Sequence, residues 1–151
     1  MSHDINILLK TLNCQTKRIE AIYYKLALNF KMSESAFWIL YALAEADHEC
    51  SQQEISEELS ISRQTINSAI QGLVQKEYIF LEQSAVSARR KTVRMTEKGR
   101  RFVEESIIPL QEAEREALLK MDHFAQNQYV TLSQVYAANL QAEIERNFTI
   151  T

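Results

Sequence analysis

Ser51-Gln-Gln-Glu-Ile-Ser-Glu-Glu-Leu59, then Ser60-Ile61-Ser62, then Arg63-Gln-Thr-Ile-Asn-Ser-Ala-Ile-Gln-Gly-Leu-Val-Gln-Lys76, is the stretch that decides the fold. Ser51 and Glu54 form a capping box: the hydroxyl accepts from the Glu54 amide while the carboxylate reaches back to the Ser51 amide. Ile55 and Leu59 then share one face of a short helix. Ser60-Ile61-Ser62 is a tight polar break, and Ser62 is placed to cap a second helix from Arg63 to Lys76. In that helix Ile66, Ile70 (or Ala69), Leu73 and Val74 are expected to point inward. Arg63, Gln64, Thr65, Asn67, Ser68 and Gln71 fall on the opposite face. Aromatic and β-branched content over Tyr78 to Leu81 predicts a strand, and Val93 and Met95 alternating with Arg94 predict its return over Thr92 to Met95. Between the strands lies a basic tip, Arg89-Arg90-Lys91. Two helices across a short turn, followed by a hairpin, make a helix-turn-helix with a wing, an arrangement suited to duplex DNA.

Outward from this stretch the chain reads as helix. Ile5, Leu8, Leu9, Leu12, Ile19, Ile22, Tyr23, Leu26 and Phe30 recur at steps of three and four, which predicts an amphipathic helix from about Asp4 to Lys31. Its length exceeds what one packing face of a small domain requires, and such helices commonly lie in oligomer interfaces. Ser33 caps a second helix with Phe37, Leu40, Tyr41, Leu43 and Ala44 on one side, and His48-Glu49-Cys50 reads as a connector. Beyond the hairpin, Thr96 caps a long helix towards Met121, with Pro109 expected to kink or break it. Asp122 caps a last helix whose stripe is Phe124, Leu132, Val135, Tyr136, Leu140 and Ile144. The fold class expected is mainly α with a small β-hairpin wing: a winged helix-turn-helix flanked by long helices, within a single domain over residues 1–151.

Two glycines and one proline in 151 residues agree with a helical chain. No run of about 18 apolar residues predicts a membrane span. The start, Met1-Ser-His-Asp-Ile-Asn, carries no cationic region before an apolar core, so a cytoplasmic location is expected. Cys14 and Cys50 are expected to be free thiols. The net charge of −3 argues weakly against a nucleic-acid partner until its distribution is read. Between Ser84 and Arg101 stand seven cations (Arg89, Arg90, Lys91, Arg94, Lys98, Arg100, Arg101) and one anion, Glu97, a net +6 beside a remainder of −9. An acidic body can coexist with a basic docking edge.

A recognition helix enters the major groove by its N-terminal half, so residues there need donors and acceptors for base edges. Arg63 and Gln64 can make bidentate contacts, typically to guanine and adenine, while Ser62, Thr65, Asn67 and Ser68 are short enough for close approach. The same face is also what an ordinary solvated helix would carry; the capped helix before it and the hairpin after it favour the DNA reading. Arg89, Arg90 and Lys91 suit the narrow minor groove, with Arg89 the strongest candidate to insert. Lys76 favours the helix dipole at its C-terminus and could also touch phosphate.

This order, with Thr-x-x-Gly opening a long helix, resembles the MarR family of dimeric winged-helix transcriptional regulators. The residues that carry the likeness are Gln53-Glu-Ile-Ser-Glu-Glu-Leu59, Ser62-Arg-Gln-Thr-Ile66, Leu73-Val-Gln-Lys-Glu-Tyr-Ile79, and Arg89 with Val93-Arg-Met-Thr-Glu-Lys-Gly99. The resemblance implies a homodimer held by the first and last two helices (about 4–31 and 97–148), with the winged part at about 33–99. It also implies that a small aromatic ligand or an oxidant alters DNA affinity. Two positions depart from the family pattern. The wing reads Ser87-Ala88-Arg89 where Asp-x-Arg is common, and Glu77 stands where many members have Gly after the recognition helix.

Two sensors are conceivable. Tyr23, Tyr24, Phe37, Trp38 and Tyr41 lie where family ligand pockets are found, and either line a cavity for a flat organic ligand or pack as ordinary core. Cys14 sits roughly where hydroperoxide-sensing members place a reactive thiol, with Lys10, Lys17 and Arg18 within a turn; a buried, inert thiol is the commoner case and the favoured reading. His3, His48 and His123 are scattered and make no metal-ligand spacing, no glycine-rich phosphate loop occurs, and no nucleophile–base group stands out. The expectation is therefore no enzyme, no metal and no cofactor. It is instead a sequence-specific DNA-binding regulator, a homodimeric repressor on a pseudo-palindromic operator, with a possible small-molecule effector. The rival is a winged-helix module that contacts another protein.

Overall fold

The computed structural model describes residues 4–46, 48–84 and 91–148. In chain order the elements are α1 (Ile5–Asn29), α2 (Glu34–Glu45), β1 (Cys50–Ser51), α3 (Gln52–Leu59), α4 (Arg63–Gln75), β2 (Ile79–Gln83), β3 (Lys91–Met95), α5 (Glu97–Phe102), a π-helical turn (Val103–Ile107), α6 (Ile108–Leu119) and α7 (His123–Asn147). They group into two compact units, Met1–Ile107 and Ile108–Thr151.

The first unit is built around α2. Phe37, Ile39 and Leu40 are completely buried, and Ala36, Ala42 and Leu43 join them, so this helix is apolar on nearly every side. A helix of that kind has to be surrounded, and α2 packs against α1, α3, α4 and the π turn. Ile55 from α3, Ile66, Ile70 and Leu73 from α4, Ile79 from β2 and Ile107 from the π turn close the core. A chain of rings threads it: Tyr78 meets Phe102 edge-on (5.4 Å between centroids), Phe102 meets Phe30 (5.3 Å), and Phe30 stacks on Phe37 (6.3 Å). Val74, expected inward, is 38% exposed, because Ile70 and Leu73 already fill the seam with α2.

The strands form an antiparallel sheet of order β1-β3-β2. Ile79 pairs with Met95, Leu81 with Val93 and Gln83 with Lys91, so the hairpin register is fixed along its whole described length. Both strands are displaced from the sequence expectation: β2 starts one residue later and runs to Gln83, and β3 begins at Lys91. The third strand straddles the end of the expected connector and the cap of α3, where Cys50 pairs with Val93 and Ser51 with Thr92. Two residues without alternation carry no period for a sequence to display.

Every start assigned from a capping residue is capped as read. Ser33 accepts from the Ala36 amide, Thr96 from Gly99 and Asp122 from Ala125. The helix ends are less ordinary. Lys31, Ser60 and Glu77 have φ of 56°, 53° and 61°, the left-handed conformation that usually falls to glycine, while neither glycine of the chain has positive φ. Each lies at the end of a helix whose last turn is closed by a five-residue reach: Met32 N–H to the Ala27 carbonyl (3.1 Å), Ile61 to Ser56 (3.2 Å) and Tyr78 to Leu73 (2.9 Å).

The helix expected from Thr96 to Met121 is divided. Pro109 has no N–H for the Glu105 carbonyl, and its ring would crowd that oxygen in a regular α-helix. The widened π turn immediately upstream accommodates this, and α6 restarts at Ile108. In the second unit α6 and α7 pack on each other, joined through Met121 and Asp122; Gln126 donates to the Leu118 (3.2 Å) and Met121 (2.8 Å) carbonyls. No described residue of this unit is buried. Among the described residues no helix is long and apolar enough to cross a membrane.

Candidate nucleic-acid interface

Geometry of the interface begins with the turn between α3 and α4. The Ser51 amide and hydroxyl both donate to the Glu54 carboxylate (2.8 and 2.9 Å), and the Glu54 amide donates back to the Ser51 hydroxyl (3.3 Å). This fills the positive end of α3 with the protein's own carboxylate, so that helix end is not open to phosphate. At the other end the buried Ser56 hydroxyl donates to the Ile61 carbonyl (2.6 Å), pinning the turn. Ser62 then caps α4, accepting from the Thr65 amide (3.2 Å), with the two hydroxyls 2.9 Å apart.

Ile66, Ile70 and Leu73 bury the inner face of α4, and the 3.6-residue period therefore turns Arg63, Gln64, Thr65, Asn67, Ser68 and Gln71 to solvent. All are exposed, and the polar set is densest in the first two turns. Arg63 and Lys91, distant in sequence, line one open concavity of about 700 Å³ with Gln52 and Gln53. The two glutamines were not singled out in the sequence; the signal available was their place in the first turn after Ser51. Glu57 also faces the concavity, where its carboxylate accepts from the Gln53 amide group (2.8 Å).

The basic window is less uniform than its charge count suggests. Arg94, at the middle of β3, donates Nε to Glu82 of β2 (3.0 Å) and Nη2 to Glu49 before β1, so one guanidinium ties the sheet together. Arg100 is engaged with the Met95 carbonyl (3.0 Å) and Glu97 (3.2 Å), and Lys98 with the Lys76 carbonyl (2.6 Å) and the Tyr78 ring (4.7 Å). Lys91 and Arg101 are exposed. Lys76, grouped with the DNA-facing residues in the sequence, donates to the Lys31 carbonyl (3.2 Å). Ser87, Ala88, Arg89 and Arg90 lie outside the described residues.

Residues 30–90 match the sequence profile of the MarR family. Over that segment the chain is similar to the MarR family. Its fold is also that of solved MarR-family structures. A regulator from Neisseria meningitidis, NMB1585, is 18% identical with a TM-score of 0.77, covering 93% of this chain and 98% of its own. A Listeria monocytogenes MarR-family regulator solved with a 26mer DNA is 17% identical (TM-score 0.72; 95% and 97% covered). PcaV from Streptomyces coelicolor, solved with its natural ligand, is 18% identical (TM-score 0.64; 82% and 89% covered). No curated protein sequence matches this chain.

Glu77, which the sequence sets apart from the family pattern, adopts the left-handed conformation that usually falls to glycine. Thr96 explains the Thr-x-x-Gly motif: its hydroxyl donates to the Glu77 carbonyl (2.6 Å) and accepts from the Gly99 amide (3.0 Å). A Cβ on Gly99 would collide with the Tyr78 carbonyl.

Four of the five rings considered for a ligand pocket come together. Trp38 lies 4.8 Å from Tyr23, 5.1 Å from Phe37 and 5.3 Å from Tyr41, edge-on or tilted. Tyr24 stands apart, 53% exposed, lining an open surface hollow with Lys17, Glu20 and Glu34. Cys14 is exposed and Cys50 buried, and neither is in a disulfide among the described residues. Of the cations near Cys14, Lys17 pairs with Glu20 (2.8 Å), a hydrogen bond and charge that hold its ammonium above the usual lysine value, and Arg18 donates to Gln15 (3.1 Å). Among the described residues no three histidine, cysteine, aspartate or glutamate side chains are grouped to hold a metal.

Proposed function

We propose that this chain is a sequence-specific DNA-binding transcriptional regulator that acts as a homodimeric repressor. The observation that carries the reading is the outer face of α4. Arg63, Gln64, Thr65, Asn67 and Ser68 are exposed at the N-terminal half of a helix fixed from behind by Ile66, Ile70 and Leu73. A rigid helix with bidentate and short polar donors at its leading end matches the chemistry of base edges in a major groove. Lys91 continues the polar surface onto the wing, and Arg89 and Arg90 extend it in sequence. The MarR-family protein solved with DNA supports the same partner class.

Apolar side chains left exposed on α1 and α7 support self-association. Two copies would present two recognition helices about 34 Å apart to a pseudo-palindromic operator. An effector is proposed at the Tyr23–Phe37–Trp38–Tyr41 cluster, a small flat aromatic molecule that displaces ring–ring contacts; PcaV, solved with a ligand, supports the class of control. Trp38 is the sole tryptophan, so quenching of its emission reports such binding directly.

In vitro selection from a random duplex library tests the function. An enriched inverted repeat with half-sites one helical turn apart is the expected outcome. A folded dimer that enriches no duplex sequence would sink the reading and leave a wing that serves a protein partner.

A further inference from the structure

Lys76 and Lys98 have the appearance of DNA-binding cations, one ending the recognition helix and the other inside the basic window. Their ammonium groups point elsewhere. Helices α1 and α4 both end on a left-handed residue, Lys31 and Glu77, and such ends leave carbonyls of the last turn without an intrahelical partner. Lys76 Nζ donates to the Lys31 carbonyl at the end of α1 (3.2 Å). Lys98 Nζ, from the first turn of α5, donates to the Lys76 carbonyl at the end of α4 (2.6 Å) while lying 4.7 Å from the centre of the Tyr78 ring. The two lysines act in series: α5 holds the end of α4, and the end of α4 holds the end of α1. Each cation also meets the negative end of a helix dipole.

Distance supports the same division. Arg63 and Lys76 are separated by the full length of α4, roughly 20 Å at 1.5 Å per residue. The polar set for base edges occupies the Arg63 end.

We infer that Lys76 and Lys98 are positioning residues, which fix the angle at which α4 is presented and do not neutralise phosphate. The inference rests on the DNA-binding reading above. A helix held in its docking orientation before binding loses less freedom on association, and the benefit falls on the site whose base edges must be met in register. Non-specific binding, governed by phosphate charge, gains little from it.

The test compares wild type, Lys76→Met, Lys98→Met and Lys76→Arg on two duplexes, a selected operator and an unrelated sequence, between 50 and 200 mM salt. Emission from Trp38 confirms that each variant is folded. For both Met variants the expected result is a roughly two- to fivefold loss on the operator, a smaller loss on the unrelated duplex and an unchanged salt slope. Lys76→Arg, which still donates to a carbonyl, restores operator affinity. Equal losses on both duplexes with a slope lowered by about one per subunit would assign the lysines to phosphate and overturn the inference. Unchanged operator affinity overturns it too. If wild type shows no salt-dependent binding to any duplex, the DNA-binding reading falls and takes this inference with it.

Discussion

Glu77 carries a side chain in a backbone conformation where a Cβ is unfavourable by about 1–2 kcal/mol. Glycine removes that cost but adds freedom to the unfolded chain, worth roughly 0.5–1 kcal/mol in the opposite direction. Glu77→Gly is therefore expected to stabilise the protein by up to about 1.5 kcal/mol, read as a higher urea midpoint at unchanged m-value. Gly99 presents the reverse case. Its lack of a side chain lets the Tyr78 carbonyl approach the first turn of α5, and Gly99→Ala has to push backbone aside. A loss of about 1–3 kcal/mol is expected in the same denaturation series, and no loss would mean that the approach relaxes freely. The sequence made one of these positions legible. Thr96 and Gly99 announce a capped helix because the bond between them is local, as do Ser51 and Ser62. Nothing in the residue types Lys31, Ser60 or Glu77 signals a left-handed turn, because those turns are imposed by the packing of the helices they end.

At the level of elements, the wing stem shows why charge counts mislead. Sequence displays Arg94 as one of seven cations; the fold gives it to Glu49 and Glu82, on opposite sides of β3. All three side chains are 40–50% exposed, so solvent screening holds the stabilisation to about 0.2–1 kcal/mol. Arg94→Met is expected to lower stability by that amount at low salt and by less at 1 M salt, where the surviving Glu49 and Glu82 charges no longer sense each other. Thermal unfolding at the two salt concentrations checks it; a loss independent of salt would assign Arg94 a packing role. The helix-turn-helix itself was readable because its two helices obey period and capping rules over eight and thirteen residues. The two-residue β1 and the π turn were not. One is too short for any period, and the other is a response of the helix to Pro109 that the proline announces only as a disruption.

The molecule as a whole leaves apolar surface that neither unit covers by itself. Along α1, Ile5, Leu8, Leu12, Ile19 and Ile22 are all exposed, Ile5 at 70%. In α6 and α7 the imbalance is sharper, since no described side chain is buried and Phe124 stands 74% exposed. A helical pair of this size without buried side chains has little to offset the entropy of ordering it, so its helices require a partner surface. A second copy supplies one at no extra specification, because a two-fold interface uses the same patch twice. Sedimentation should then give a dimer at micromolar concentration, with a melting temperature that rises with protein concentration. Leu132 and Val135 lie three apart on one side of α7, both more than half exposed. Changing both to Glu would place four carboxylates in the proposed dimer interface and none in the core of the first unit. The doubly substituted chain should sediment as a monomer, keep the Trp38 emission of a folded first unit and bind a single half-site far more weakly than wild type binds the full operator. A substituted chain that remained dimeric would move the interface off α7, and one that lost its Trp38 signature would show that the first unit depends on dimer contacts to fold.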